Sequence, residues 1–93
     1  MRLLVFWTAD EDSALFDGMG PIEAFETLYR HREELGARIY DLDAMNYNDS
    51  MQQDGIKSMS DFEDDYNNED LDGGFWSMVL EVGDSFVKRI VKG

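Results

Sequence analysis

The sequence predicts an α+β fold. It should hold a small, mostly antiparallel sheet of three or four strands, one amphipathic helix over about residues 21–35 and a second, short acidic helix over about 61–68. Three observations point there. Leu3-Leu-Val-Phe-Trp7 is an unbroken apolar run rich in β-favouring residues, the pattern of a strand covered on both faces. Between Pro21 and Leu35, the residues Ile22, Phe25, Leu28, Tyr29, Arg32 and Leu35 recur at helical spacing and form one stripe. From Phe75 to Val82, the apolar residues Trp76, Met78, Leu80 and Val82 alternate with Ser77 and Glu81, as in a strand with one buried face.

The elements follow in order. After the first strand, Asp10 to Ser13 reads as a polar turn and Ala14 to Phe16 as a short returning strand. Gly20 and Pro21 open the main helix, because proline's missing N–H forfeits no hydrogen bond at the first helical position. Glu23 and Glu26 near its start, with Arg30 and Arg32 nearer its end, complement the helix dipole. Gly36 suits a left-handed cap. Ala37 to Asp43 alternates, with Arg38, Tyr40 and Leu42 on one side and Ile39 on the other, and reads as a strand. Asn46 to Gly55 is rich in Asn, Asp, Ser and Gln and reads as loop. Ser60-x-x-Glu63 has the form of a capping box, and Phe62 and Tyr66, four residues apart, share a helix face. Gly73 and Gly74 end that segment and pass the chain to a buried strand at Phe75 and Trp76. Gly83-Asp84 predicts a two-residue hairpin turn, with a last strand over Ser85 to Val91.

Composition bounds the rest. Residues 1–93 are read as a single small acidic domain and, from Met1 onward, as a complete reading frame. A chain of this size hides only about 60–65% of its surface on folding, so its stability is modest. Cysteine is absent, which excludes a disulfide scaffold, a thiolate zinc site and a cysteine nucleophile, and agrees with a reducing cytosol. The longest apolar run, Leu3 to Trp7, is too short for a membrane span or a signal-peptide core.

Twenty-one acids face eight bases, for a net charge of −13. Such a chain repels nucleic acid and anionic membranes and attracts basic surfaces. The charge is uneven: residues 1–40 carry −4, residues 41–72 carry −10 with Lys57 as their sole base, and residues 73–93 carry +1. A surface made acidic only for solubility spreads its charge more evenly.

The middle third peaks in Ser60 to Trp76, where Asp61, Glu63, Asp64, Asp65, Glu69, Asp70 and Asp72 occur with no base among them. Twelve residues of helix span about 18 Å, so these carboxylates fall roughly one per 2.6 Å, against about 1.7 Å per charge in duplex DNA and 3.4 Å in one strand. Asp41, Asp43, Asp49 and Asp54 add to the same surface if the preceding loop folds back onto it. Tyr47, Met45, Met51, Met59 and Tyr66 lie among the acids, where an aromatic or methionine in a charged rim can anchor a partner. Asn68-x-Asp70-x-Asp72-Gly73 opens like a calcium loop, but Asn68 stands at its first position and Val79 where the bidentate glutamate belongs, so no metal site or cofactor is assigned.

Catalytic signals are sparse. His31, the lone histidine, sits between Arg30 and Arg32 with no nucleophile motif near it, and no catalytic residue is assigned. Gly18-Met-Gly20 precedes a helix, but Glu23 stands where a third glycine belongs and would repel phosphate.

The sequence therefore leads to a non-enzymatic acidic binding protein. Its candidate partner is the basic groove of a DNA- or RNA-binding protein, a nuclease or regulator, which its carboxylates would occupy in place of phosphates. In size, acidity and lack of cysteine the chain resembles the small inhibitors that bacteriophages use against restriction and CRISPR systems; the resemblance is one of composition and assigns no residue. The expected location is the cytoplasm, a host's if the chain is phage-encoded, and the expected state a monomer or homodimer; the charge argues against direct binding to nucleic acid or membrane. The alternative is a small adaptor or regulatory subunit that binds a protein through its sheet or main helix, its acids serving solubility alone.

Overall fold

In the structure, a computed structural model that describes residues 1–47 and 55–92, the N-terminal apolar run forms β1 (Arg2–Thr8). Five further segments build the layer to one side of it and its lateral neighbours: α1 (Pro21–Arg30), α2 (Arg32–Leu35), β2 (Arg38–Asp41), β3 (Ile56–Lys57) and β4 (Phe75–Glu81). Between β3 and β4 lie α3 (Met59–Asn68) and α4 (Leu71–Gly74), and α5 (Asp84–Val91) follows β4. The sheet order is β3-β2-β1-β4, so β1 is interior, as its unbroken apolar run predicts. β1 runs antiparallel to β2 and to β4, while β3 runs parallel to β2. The sheet is thus mixed but mostly antiparallel, as expected, with only the short β2–β3 pairing parallel.

Helices cover both faces of the sheet, where the sequence predicted the main helix on one. Successive strand residues point to opposite faces. Leu3, Val5 and Trp7 join Ile39, Ile56 and Leu80 beneath Phe25, Leu28 and Tyr29 of α1 and Val87 of α5. Phe6 and Tyr40 point the other way and meet Leu71, with Leu4, Met59, Phe62 and Phe75 packed around them. No helix among the described residues is long and apolar enough to cross a membrane.

The main helix is interrupted at His31, whose φ of −107° and ψ of 23° leave the helical region. Its buried side is Ala24, Phe25, Leu28 and Tyr29, a stripe about a quarter turn away from Ile22, which lies 56% exposed. Gly36 caps α2 as predicted: φ is 59°, its N–H reaches the Glu33 carbonyl and that of Ala37 reaches Arg32. A side chain there would also strike Thr8 Cγ2 at 2.7 Å, so glycine is required on two grounds.

Two expectations on chain path are corrected. Ala14 to Phe16 is a series of hydrogen-bonded turns, nucleated by the Asp12 carboxylate accepting the Ala14 N–H at 2.8 Å, and Phe16 turns inward to meet the Trp7 ring at 5.0 Å. The predicted hairpin at Gly83-Asp84 and the last strand over 85–91 are replaced by α5. Gly83 has φ of −70°, whereas the two-residue hairpin turns need a positive φ. Phe86, Val87, Ile90 and Val91 are spaced one, four and five residues apart, which is one side of a helix, with Asp84 in the first turn and Lys88 and Arg89 in the last. Ile56 and Lys57, to which the sequence assigned no element, pair with Ile39 and Tyr40 as β3. Of the predicted loop 46–55, residues 48–54 lie outside the described residues.

Candidate protein-binding surface

The acidic run is ordered by contacts its composition hides. Ser58, not Ser60, caps α3: its hydroxyl accepts the Asp61 N–H at 3.5 Å and the Asp61 carboxylate accepts the Ser58 N–H at 3.4 Å. The helix therefore begins at Met59, two residues before its predicted start. The neighbouring loop assists, because the Ala44 and Met45 carbonyls each accept a first-turn N–H, from Met59 and Ser60, at 2.9 Å. Phe62 stacks on Phe6 at 5.9 Å and meets Tyr40 edge-on at 5.3 Å, while Tyr66 follows at 5.5 Å from Phe62 and stays 38% exposed. The shared face of Phe62 and Tyr66 is as predicted.

Two polar joints fasten α3 to the sheet. Tyr40 and Lys57 are lateral neighbours in the β2–β3 register, so both reach one point above the sheet. There Asp65 accepts the Tyr40 hydroxyl at 2.7 Å and the Lys57 ammonium at 3.0 Å. Burial pushes the Asp65 carboxyl up, but the hydrogen bonds from Tyr40 and Lys57 and the charges of Lys57 and Arg38 outweigh it and hold it below the usual aspartate value. The Tyr40 hydroxyl is pushed well above its ordinary value by burial first and by Asp65 second. At the other end of α3, Arg38 grips both oxygens of Glu69 at 3.2 Å, its planar fork matching the carboxylate. That bond is also the main reason the Arg38 guanidinium is held more strongly protonated.

After α3 the chain turns through Asp70, the one non-glycine residue with positive φ among those described, at 55°. This turn places Leu71, fully buried, against Phe6 and Tyr40. Asp70 and Asp72 flank Leu71, and the neighbouring Asp72 carboxyl raises that of Asp70. Two carboxylates so close repel when both are ionised and gain from an incoming cation.

The predicted site residues therefore separate. Asp61 is used in the cap, Asp65 and Glu69 in the joints. Glu63, Asp64, Asp70 and Asp72 are exposed, and among the described residues no base pairs with them. Asp41 does not join this surface. It is 7% exposed and belongs to the opposite face of the sheet beside Leu3, where it accepts the Tyr47 hydroxyl at 2.6 Å and the Asp43 N–H at 2.9 Å. Tyr47 accordingly packs against the α1-side core rather than standing out as an anchor, and burial, then Asp41, push its hydroxyl above the ordinary value. Asp43 is exposed but bound to Arg2 at 2.7 Å; the Arg2 side chain and then its backbone N–H hold the carboxyl below its usual value. Asp49 and Asp54, with Met51, lie outside the described residues.

Sequence reasoning passed over Leu71, Tyr40, Lys57 and Arg38. A signal was present: Asp61, Asp65 and Glu69 recur every four residues beside Phe62 and Tyr66, on the inner flank of the helix. Among the described residues no three His, Asp or Glu side chains converge in a way that could hold a metal. His31 lies at the break between α1 and α2, 3.6 Å from Glu34. The surface offers ordered negative charge and hydrogen-bond acceptors. Compared with models of protein families, with curated protein sequences and with solved structures, the chain matches none.

Proposed function

We propose that the protein is a non-enzymatic inhibitor that mimics nucleic acid. Its α3–α4 surface occupies the basic groove of a DNA- or RNA-binding protein in a host cytoplasm, as phage counter-defence proteins of the anti-restriction or anti-CRISPR kind do. One observation carries this reading: Glu63, Asp64, Asp70 and Asp72 project from a segment held in place by Leu71, Phe62 and two polar joints, with no base of the described chain neutralising them. Ordered charge loses less entropy on binding than a floppy acidic tail and presents a fixed pattern to arginines and lysines.

The test is displacement of labelled duplex DNA or RNA from basic nucleases and repressors. Displacement should weaken steeply between about 50 and 200 mM salt, as phosphate contacts do. The fourfold variant E63Q/D64N/D70N/D72N should lose it. Leu71→Ala keeps every charge but removes the buried anchor, at a cost of about 2–5 kcal/mol, and should weaken displacement at unchanged net charge. Displacement that survives the fourfold variant refutes the assignment.

A further inference from the structure

The sheet ends in a strand edge that no described segment covers. β4 is the outermost strand beside β1, and its seven residues pair with β1 in an unbroken register from Arg2–Glu81 to Thr8–Phe75. The hydrogen-bonding phase is fixed at the ends: Met1 and Val82 exchange N–H···O bonds at 2.9 Å, and Ala9 donates to the Gly74 carbonyl at 3.1 Å. Leu80, Met78 and Trp76 therefore point their backbone groups toward β1, and Phe75, Ser77, Val79 and Glu81 point theirs outward. Natural edge strands are usually blunted by lysine, proline, a bulge or a covering loop. β4 has no lysine, proline or bulge, and it exposes Val79 by 57% and Trp76 by 41%.

Charge selects the occupant. Asp70 and Asp72 precede the strand and Glu81 ends it. Arg2, opposite Glu81, and Arg38, over the Phe75 ring, are already held by Asp43 and Glu69, and the next bases in the chain, Lys88, Arg89 and Lys92, come only in the last turn and at the end of α5. A second copy pairing antiparallel would bring the acidic start of one strand to the acidic end of the other, between chains that each carry −13. We infer that β4 takes an extended, lysine- or arginine-bearing segment of a partner protein as an added fifth strand, with backbone hydrogen bonds to Ser77, Val79 and Glu81. This goes beyond the mimicry of nucleic acid: Asp70 and Asp72 border both surfaces, but the β4 edge reads backbone and shape as well as charge.

The probe is a fluorescein-labelled peptide of alternating lysine and valine, about nine residues long and so able to span β4. Binding should slow hydrogen exchange at the amides of Ser77, Val79 and Glu81. Two N-methylated versions, one blocked at the lysine amides and one at the valine amides, should differ by about tenfold in affinity, because only one set of amides faces the edge. Val79→Pro should weaken the unmodified peptide by about tenfold while leaving the melting temperature nearly unchanged, since the N–H it removes points to solvent. Equal affinity of the two N-methylated peptides, or no slowing at the three amides, overturns the inference in favour of plain charge attraction. Protection of those amides in the protein alone, with a concentration-dependent dimer in sedimentation, overturns it in favour of a second copy. The variant E63Q/D64N leaves the acids flanking β4 intact, so its peptide binding should persist even where nucleic-acid displacement fails.

Discussion

Replacing Tyr40 by phenylalanine removes a single oxygen from a side chain with no exposed surface and leaves its ring against Phe6 and Phe62. The lost bond is the 2.7 Å hydroxyl–carboxylate contact with Asp65. Hydrogen bonds to charged groups contribute about 1.5–3 kcal/mol. Asp65 keeps Lys57 as a partner and is 20% exposed, so some solvation is recovered and the lower part of that range applies. We expect a loss of about 1.5–2 kcal/mol at pH 7, or about 8–10 °C in Tm for a chain of this length. The pH dependence identifies the bond. The folded-state value of Asp65 lies below the ordinary 3.8, so its ionised form stabilises the fold above that value and the contribution fades as pH falls through the folded value. Below it the hydroxyl meets a neutral carboxyl, and the cost of Tyr40→Phe should shrink by about 1 kcal/mol. Urea unfolding of the parent and variant at pH 7 and at stepwise lower pH measures both figures. A cost under about 0.5 kcal/mol at pH 7, or one that does not change with pH, would refute the joint as described.

Two further outcomes follow from the same geometry. Ser58→Ala should cost about 1 kcal/mol in chemical denaturation, the usual loss of a helix cap, whereas Ser60→Ala, at the position the sequence favoured, should stay within about 0.5 kcal/mol. Tyr40 and Tyr47 should resist ionisation in an absorbance titration at 295 nm: both hydroxyls are held protonated in the fold, so above about pH 10 the unfolded chain sheds protons that the folded chain keeps, stability falls as pH rises, and these two phenolates should appear together with loss of structure.

The elements most legible in the sequence were those whose apolar pattern had one solution. Five consecutive apolar residues in β1 fit only an interior strand, and the alternation in β4 gave its length within a residue. The segment after Gly83 failed because Phe86, Val87, Ile90 and Val91 fit either period over so short a length; what decided for a helix was burial of Val87 under the sheet and the charges at the two ends of α5. Trp76 reads as core by alternation, yet the edge leaves it partly exposed, with its indole N–H donated to the Glu11 carbonyl at 2.8 Å. Strand order, and with it which strand is an edge, is a tertiary property that periodicity does not carry. The parallel pairing of β3 has the same status, since two residues make no pattern.

For the candidate surface, composition gave the charge and hid its allocation. Seven carboxylates in one run suggested a continuous acidic face, but a helix distributes its side chains around an axis, and the inner flank must meet whatever the sheet presents. The sheet presents Tyr40, Lys57 and Arg38, so Asp65 and Glu69 are drawn inward and become part of the fold. Neutralising all seven acids together would therefore break both joints and the cap of α3 as well as remove surface charge, and a lost interaction would then follow equally from unfolding. Only the outward set, Glu63, Asp64, Asp70 and Asp72, separates charge from fold, and within it Asp72 raises the Asp70 carboxyl. Converting these four should leave the melting temperature unchanged or raised, by relief of like-charge repulsion, while it removes the charge offered to a basic partner. Stability kept or raised alongside a loss of binding is the outcome that a surface kept for recognition, rather than for the fold, must give.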